Sequence, residues 1–333
     1  MIRISYQQLN EVLLRVLLKV GFASERAELC ARLFADASLD GVYSHGLNRF
    51  PRFMEMIRSG IINIHAQPEL VAGHGALERW DGKRGPGNLN AHASMERAIS
   101  LARQHGIGCV ALANTNHWMR GGSYGWQAAE AGVIGICWTN TMPNLPPWGA
   151  NEARLGNNPL VIAVPRKEGH IVLDMAMTQF SYGTLESYRT RGEELPVIGG
   201  FDLKGNLTRN PGAIEESRRP LPIGFWKGSG LALMLDILAA LLSGGQATHQ
   251  IKADVLQETG LSQMFLAFDL PSIDQDEESA KLINQIIEFV QGSDTTSTDK
   301  VRYPGEGTLE TRKQNLIEGI PVEPKVWEQV RRM

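Results

Sequence analysis

The sequence predicts an α/β protein in which a mixed sheet follows an N-terminal helical segment. Up to Gly60 the apolar residues recur with helical spacing, whereas from about Leu70 helical stretches alternate with short apolar runs typical of buried strands. Two of these runs, "PLVIAVP" and "HIVLDMA", are separated only by the turn-like "RKEG". They predict a hairpin, and a hairpin inside an alternating α/β chain makes the sheet mixed rather than wholly parallel.

Three helices are predicted in the N-terminal segment. The first follows Ser5, which has with Gln8 the spacing of a capping box. The second begins with Ser24 as its N-cap and ends near Gly41. The third has Pro51 in its first turn, where a missing backbone N–H costs nothing.

The rest of the chain alternates between the two kinds of element. Helical patterns occur in "HASMERAISLARQHG", "SYGWQAAEAG", "GSGLALMLDILAALLSGG" and "DEESAKLINQIIEFVQG". Strand patterns occur in "IGCVALAN", "VIGICWTNT" and "SQMFLAFDL". The last helix is expected to turn Leu282, Ile286 and Val290 inward, and "GSDTTSTDK" (292–300) is predicted to be a mobile surface loop.

Composition excludes several classes of protein. At 333 residues the chain can bury a core without disulfides or metals, and we expect no metal site. A net charge of −3 without a basic tract argues against a nucleic-acid partner. The three cysteines lack metal-ligand spacing and suit a reducing compartment, so a cytoplasmic protein is expected. Polar residues interrupt the apolar stretches near the start, so neither a signal peptide nor a membrane association is expected.

The usual dinucleotide fingerprint is absent from the chain. G-x-G-x-x-G between a strand and a helix does not occur, because "GIGCV" precedes a strand and "RGGSYG" and "KGSGLA" have the wrong spacing. Walker A, H-E-x-x-H, G-x-S-x-G and C-x-x-C patterns are also absent. A dinucleotide, if one binds, must be held by another arrangement.

The stretch "DGVYSHGLNRFPRF" (40–53) concentrates polar side chains just after the second helix. If a helix begins at Gly46, His45 and Arg49 face one cavity, where the imidazole could exchange a proton and the guanidinium could clamp a carboxylate. Ser44 adds a hydroxyl. The pattern equally suits a Ser44 cap, a His45 bonded to a backbone carbonyl and a solvated Arg49, and the spacing does not decide between these interpretations.

A second cluster lies in "ANTNHWMRGGSYG" (113–125), at the end of a predicted strand. Ligand sites of α/β folds tend to lie at such ends, and His117 and Arg120 precede a glycine pair and a helix N-terminus that would favour an anion. An ordinary strand-to-helix loop explains the same residues. Two histidine and arginine clusters therefore compete for one role. The irregular stretch 138–160 is expected to wall a pocket.

Several motifs in the same order resemble the malate/L-lactate dehydrogenase family over nearly the whole chain. They are "GVYSHGLNRFPRF", "NHWMRGGSYGWQAAE", "PPWGA", "NNPL" and "RYPGEGTLETR". The resemblance implies a non-Rossmann, mixed-sheet dinucleotide-binding fold, which accounts for the missing fingerprint. It also implies a homodimer with the cofactor at the interface. One family domain would span 1–333, with a helical segment 1–70 packed on the C-terminal helices 308–333 and a cofactor-binding region 71–307.

The resemblance assigns roles to individual residues. The proton donor falls on His45, and Ser44, Arg49 and His117 fall in the substrate pocket. Dinucleotide contacts fall on one strand, on a tryptophan and lysine before a helix, and on a tight turn: His170, Ile171, Val172, Leu173, Asp174, Met175, Ala176, Trp226, Lys227, Gly305, Glu306 and Gly307.

The implied reaction is reduction of a keto sugar acid, 2,3-diketo-L-gulonate, by NADH, with NADPH as the alternative cofactor. Which nicotinamide is used is open, because no ribose-reading acid after a fingerprint can be inspected. Malate, lactate, ureidoglycolate and sulfolactate remain as alternative substrates within the family. A non-catalytic protein that binds sugar acids or nucleotides on the same scaffold is a further alternative.

Overall fold

The N-terminal part of the chain is helical after one short strand. A computed structural model describes residues 2–269, 277–294 and 300–333. The first elements are β1 (Ile2–Ile4), α1 (Tyr6–Lys19), α2 (Ser24–Leu39) and α3 (Phe50–Arg58), with two 3₁₀ turns at Tyr43–His45 and Leu47–Arg49 between α2 and α3.

Strands and helices alternate after α3, as predicted. The middle of the chain holds β2 (Glu69–His74), β3 (Leu77–Asp81), α4 (Gly87–His105), β4 (Ile107–Thr115), α5 (Gly122–Glu130), β5 (Ile134–Thr139), β6 (Leu160–Val164) and β7 (Ile171–Met175). The remainder holds α6 (Tyr182–Arg191), β8 (Gly200–Phe201), β9 (Leu207–Thr208), α7 (Pro211–Ser217), α8 (Trp226–Ser243), β10 (Leu261–Phe268), α9 (Glu277–Gln291), α10 (Glu306–Glu318), β11 (Ile320–Val322) and α11 (Pro324–Arg331).

The central sheet is mixed, which confirms the predicted fold class. Its strands lie in the order β2-β3-β4-β10-β5-β6-β7. The β3–β4 pair is parallel, whereas β10 pairs antiparallel with both β4 and β5. The predicted hairpin is β6–β7, which is antiparallel in the register Ile162 to Leu173. The sheet thus ends at β7, whose outer edge is available to other parts of the chain.

Helices cover both faces of this sheet, because successive strand residues point to opposite sides. Val110 of β4 and Phe265 of β10 belong to the core beneath α4 and α5. Their neighbours Ala111 and Met264 belong to the core beneath α8. By length and composition α8 is apolar enough to cross a membrane, but a core helix passes the same test. It packs on the sheet through buried residues such as Leu235.

The N-terminal helices share a separate core with the end of the chain. Leu9 and Leu13 of α1 lie in one buried cluster with Trp327 and Val330 of α11. β1 pairs antiparallel with β11. The predicted capping box of α1 is present, because Ser5 Oγ accepts from the backbone N–H of residue 8 at 3.1 Å and the reciprocal bond is also made. The division at residues 70 and 307 stays a prediction.

Local predictions were wrong at two points, the N-cap of α2 and the inward face of α9, and the helix considered from Gly46 does not form. Ser24 is the first residue of α2 and Ala23 is its N-cap. No α-helix begins at Gly46, because two 3₁₀ turns precede α3. In α9 the three apolar residues predicted to point inward are exposed in the single chain: Leu282 by 58%, Ile286 by 54% and Val290 by 45%. Helical spacing identifies an apolar face but not whether the same chain covers it. Residues 295–299 of the predicted mobile loop lie outside the described residues.

Candidate active site

His45 lies in the tight connection between α2 and α3. The backbone N–H of His45 donates to Val42 O at 3.0 Å, and the N–H of Leu47 donates to Ser38 Oγ at 2.9 Å. A Cβ at Gly46 would lie 2.1 Å from Ser38 Oγ, so only glycine fits this approach of the loop to α2. The backbone on either side of the histidine is therefore held in place before any ligand binds.

The two histidines predicted as competitors lie side by side. His117 follows β4, and its ring stacks on the ring of His45 with centroids 5.8 Å apart and planes 22° apart. His117 Nδ1 accepts from the backbone N–H of Met119 at 3.0 Å, so the proton of its neutral form is on Nε2. Ser44 Oγ lies 2.9 Å from His45 Nδ1. Both rings can thus present Nε2 to a ligand.

Positive charge surrounds the pair. The pKa of His45 is lowered to about 3, mainly by burial and in addition by the charges of Arg49, Arg120 and Arg52. Burial also lowers the pKa of His117 well below its usual value, with Arg49 again contributing. Both imidazoles are therefore uncharged at neutral pH, and the arginines carry the positive charge of the site.

Arg49 has an unsatisfied donor. Its Nε atom is buried and makes no hydrogen bond to any described residue. Burial is the first cause that lowers the pKa of Arg49, to about 10, so the guanidinium keeps its charge at neutral pH. A buried donor without a partner is costly unless a ligand completes it. The side chain is consequently suited to bind a carboxylate.

Arg120 has a different role from the one its position suggested. Its Nη1 binds Asp40 Oδ2, and the same carboxylate accepts from Arg312 Nε at 2.6 Å and from Nη2 at 2.8 Å. The side chains of Asp40 and Arg120 are only 1% and 5% exposed. This buried network joins the end of α2, the loop after β4 and α10, so it holds the loops of both histidines together.

The structure brings in three further residues that sequence reasoning did not assign. A Cβ at Gly183 would lie 2.8 Å from Ser44 Cβ, so the first turn of α6 lies directly on the histidine loop. Arg52 and the buried Glu258 are close enough to the site for their charges to act on it. Arg52 shares the polar stretch with His45, but no local pattern around Glu258 distinguishes it from a surface residue.

The predicted cofactor strand and the tight turn near the C-terminus meet at the free edge of the sheet. The backbone N–H of Val172 donates to Pro304 O at 2.9 Å. Gly305 has φ of 97°, and a Cβ there would lie 3.1 Å from Val172 N and 3.3 Å from His170 O. Asp174 Oδ2 accepts from the N–H of Gly122 at 2.9 Å, at the start of α5. Gly307 and Glu306 begin α10 directly after this turn.

Several features at this edge fit an anionic dinucleotide. A cavity beside His170 is lined by the cations Arg166, Lys167 and Arg312. Thr178, just after β7, has a buried Oγ1 without a hydrogen-bond partner among the described residues. This edge of the sheet therefore offers positive charge beside His170, before β7, and an orphaned hydroxyl at Thr178, beyond the other end of the strand.

Trp226 and Lys227 are placed apart from that turn, at the start of α8. The segment before α8 contacts the residues that follow β7, because the N–H of Ile223 donates to Met177 O at 2.9 Å. Trp226 is 66% exposed, so its ring is available for stacking. Among the residues that the structure describes, no group of three or more histidines, cysteines or acids has the arrangement of a metal site.

Comparisons with known proteins agree with the fold and the motifs. Residues 4–331 match the family model described as malate/L-lactate dehydrogenase. The 2,3-diketo-L-gulonate reductase of Citrobacter koseri is 48% identical over 330 residues, covering 98% of this chain and 99% of the relative. Sulfolactate dehydrogenase from Methanocaldococcus jannaschii superposes with a TM-score of 0.90 at 28% identity, covering 99% of this chain and 95% of that one.

A second solved structure gives the same result. Malate dehydrogenase from Pyrococcus horikoshii has a TM-score of 0.89 at 32% identity, over 98% of this chain and 93% of its own. Family match and structural likeness thus extend along almost the entire sequence, and they confirm the family that the motifs predicted. The chain belongs to the malate/L-lactate dehydrogenase family and is an oxidoreductase.

Proposed function

We propose that the enzyme reduces 2,3-diketo-L-gulonate to 3-dehydro-L-gulonate, with His45 as the proton donor and NADH as the reductant, NADPH being the alternative. The similarity to reductases of that name at 48% identity over nearly the whole chain supports the substrate. The stacking of His45 and His117 beside Arg49 is the observation that carries the mechanism. It puts two proton-exchanging groups and one carboxylate clamp at a single place.

Arg49 binds the substrate first. Its free Nε donor and fixed charge hold the carboxylate, which orients the neighbouring ketone carbon and saves entropy at the transition state. The bound carboxylate also offsets the Arg49 charge that depresses the pKa of both histidines. Substrate binding therefore raises the affinity of His45 for a proton just when a donor is required.

His45 then acts on the carbonyl oxygen. When bound, the nicotinamide supplies a hydride to the ketone carbon adjacent to the carboxylate. The carbonyl oxygen gains negative charge at that step, and His45, which takes up a proton from solvent when the substrate binds, transfers it to this oxygen and returns to the neutral form. His117 donates a hydrogen bond from Nε2 to the second keto oxygen, because its Nδ1 is already an acceptor for Met119.

The family membership implies a nicotinamide cofactor. We propose that it lies along β7 with its phosphates near the turn at Gly305–Gly307 and that Trp226 and Lys227 complete the site. The cations beside His170 and the exposed Trp226 support this placement. We also propose that the protein is cytoplasmic, which the three free cysteines support. We propose that it is a homodimer, which the apolar surface left exposed on α8 supports.

Steady-state kinetics with diketogulonate and NADH test the proton donor. We expect His45→Ala to lower kcat by a factor of about 10² to 10⁴, the usual contribution of a general acid. His117→Ala should raise KM and lower kcat less. His74→Ala, which removes an exposed histidine of β2, should change neither value.

Retention of wild-type kcat by His45→Ala would assign the proton to another group. The same assay with malate, lactate, ureidoglycolate and sulfolactate, each with NAD and NADP, tests the substrate. A higher kcat/KM for one of these pairs than for diketogulonate would replace the proposed substrate. Binding of sugar acids without turnover of any keto acid would favour a non-catalytic protein.

A further inference from the structure

Tyr124 lies in the first turn of α5, just after the loop that carries His117. Its side chain is 1% exposed, and its ring packs on the rings of Trp118, with centroids 5.6 Å apart, and of Phe265, with centroids 6.0 Å apart. The hydroxyl donates to Trp118 O at 2.5 Å, while Asn88 O lies farther away at 3.3 Å. Burial raises the pKa of the hydroxyl well above its usual value, so it keeps its proton and remains a donor at neutral pH.

The peptide group between Trp118 and Met119 is held at both ends. Its carbonyl oxygen accepts from the Tyr124 hydroxyl, and its N–H donates to His117 Nδ1 at 3.0 Å. The C=O and N–H of a trans peptide point in opposite directions, so one orientation of this plane satisfies both hydrogen bonds. The plane therefore transmits the position of the Tyr124 hydroxyl to the His117 ring.

The observed orientation of this peptide strains the backbone. Met119 has φ of 65°, in the left-handed region that residues other than glycine seldom adopt. Rotation of the peptide plane by about 180° would bring φ of Met119 to the negative values that L-residues prefer. Strain of this kind persists only where the surrounding contacts outweigh it. The hydrogen bonds to Tyr124 and His117 are such contacts.

The orientation of the peptide decides which hydrogen bonds His117 can make. With the Met119 N–H at Nδ1, the neutral ring carries its proton on Nε2 and donates from there. With the carbonyl oxygen of Trp118 at Nδ1, the proton would be on Nδ1, and Nε2 would be an acceptor that repels a keto oxygen. His45 is not restricted in this way, because Ser44 Oγ, 2.9 Å from its Nδ1, can donate or accept.

We propose that Tyr124 is a positioning residue that keeps His117 as a hydrogen-bond donor and leaves proton transfer to His45. It acts through the peptide between Trp118 and Met119, because the partner of one imidazole nitrogen determines the protonation of the other. The inference rests on the proposed function, since it uses the hydrogen bond from His117 to the second keto oxygen.

The test measures the tautomer of His117. Long-range proton–nitrogen NMR spectra of the intact enzyme, labelled with nitrogen-15 histidine, distinguish the protonated from the unprotonated nitrogen of each ring, and His117→Gln assigns the signal. At neutral pH the wild-type ring should carry its proton on Nε2 alone. In Tyr124→Phe, which removes the hydroxyl and keeps the ring, the Nδ1–H form should reach about one-third or more, since one hydrogen bond changes such a ratio several-fold. For the keto acid that the enzyme reduces best, kcat/KM should fall about threefold to tenfold.

The matched control is Tyr6→Phe, which removes the tyrosine hydrogen bond to Asp36 Oδ1 at 2.7 Å in the N-terminal helices and should leave the His117 tautomer and kcat/KM unchanged. The wild-type spectrum tests the peptide orientation by itself, because a proton on Nδ1 of His117 overturns the proposal. A single Nε2–H form in Tyr124→Phe, the same shift in Tyr6→Phe, or a shifted tautomer with wild-type kcat/KM also overturns it. The spectra need no substrate, so the expected tautomers without diketogulonate turnover would overturn only the proposed substrate.

Discussion

At the scale of residues, the site consists of two neutral histidines held in a cluster of arginines. Met119 N–H fixes the tautomer of His117, and the contact of Gly46 with Ser38 fixes the loop of His45. The polar stretch around His45 could be recognised in the sequence, but its partners could not. His117, Arg120 and Glu258 are distant from His45 along the chain, and only folding brings them to it.

The buried histidines should make the fold sensitive to acid. The folded pKa of His45 is about 3, below its ordinary value of 6.5, so the native state binds fewer protons than the unfolded state between those values. Stability is then fully present above about pH 6.5 and is lost as the pH falls toward 3, by at most about 1.4 kcal/mol per pH unit for each histidine. Urea unfolding between pH 7 and 4.5 measures this slope.

Comparison of variants separates the histidines from other groups. Glu258 has a raised pKa and contributes with the opposite sign, because acid favours its protonated, buried form. The double variant His45→Asn, His117→Asn should therefore lose stability less steeply with acid than the wild type, whereas His74→Asn should follow the wild type. A slope in the double variant as steep as in the wild type would contradict this origin.

At the scale of elements, α8 illustrates what periodicity can and cannot establish. The sequence predicted the helix, since its apolar run is long and free of breakers. Its buried residues contact the sheet, but Met234 and Leu241 are 50% and 67% exposed in the single chain. A helix that is apolar on both sides requires a second partner, and the pattern alone does not identify that partner.

The proposed homodimer predicts the result of a charge placed on this surface. Leu241→Glu would bury an unpaired carboxylate at the interface. We therefore expect the wild type to be a dimer and the Leu241→Glu variant to be a single chain. Sedimentation velocity at micromolar protein measures the mass. Leu203→Glu is the control, because that side chain is 64% exposed in the turn between β8 and β9. If Leu241→Glu sediments as the wild type does, this face of α8 is not the interface.

At the scale of the whole molecule, Asp40 links the helical segment to the rest of the chain. Its carboxylate binds Arg120 from the loop after β4 and Arg312 from α10, and Arg312 also lies 4.7 Å from the ring of Trp126. Loss of the carboxylate would leave the buried Arg120 and the partly exposed Arg312 without their counter-ion. The loops that hold His45 and His117 are among the segments that this network joins.

Asp40→Asn should consequently lower the free energy of unfolding by roughly 3 to 5 kcal/mol, the usual cost of removing one partner of a buried ion pair. Denaturant unfolding measures the difference. Glu318→Gln breaks the exposed pair with Arg3, whose side chains are 47% and 42% exposed, and should cost less than about 1 kcal/mol. Equal losses in the two variants would show that the Asp40 network contributes no more stability than an exposed ion pair.

The sequence by itself determined the helices and strands with strong periodicity, the β6–β7 hairpin and the family, because periodicity, turn residues and long motifs are local properties of the chain. It did not predict β2, β3 or the elements from α6 to α7. Tertiary structure decided which groups meet. It stacked His45 on His117, turned Arg120 to Asp40 and brought Glu258 from a segment without a motif. It also exposed the apolar face of α9 that spacing had assigned to the interior. Contacts between distant residues depend on how sheets and helices pack, and one residue's neighbours in sequence do not specify them.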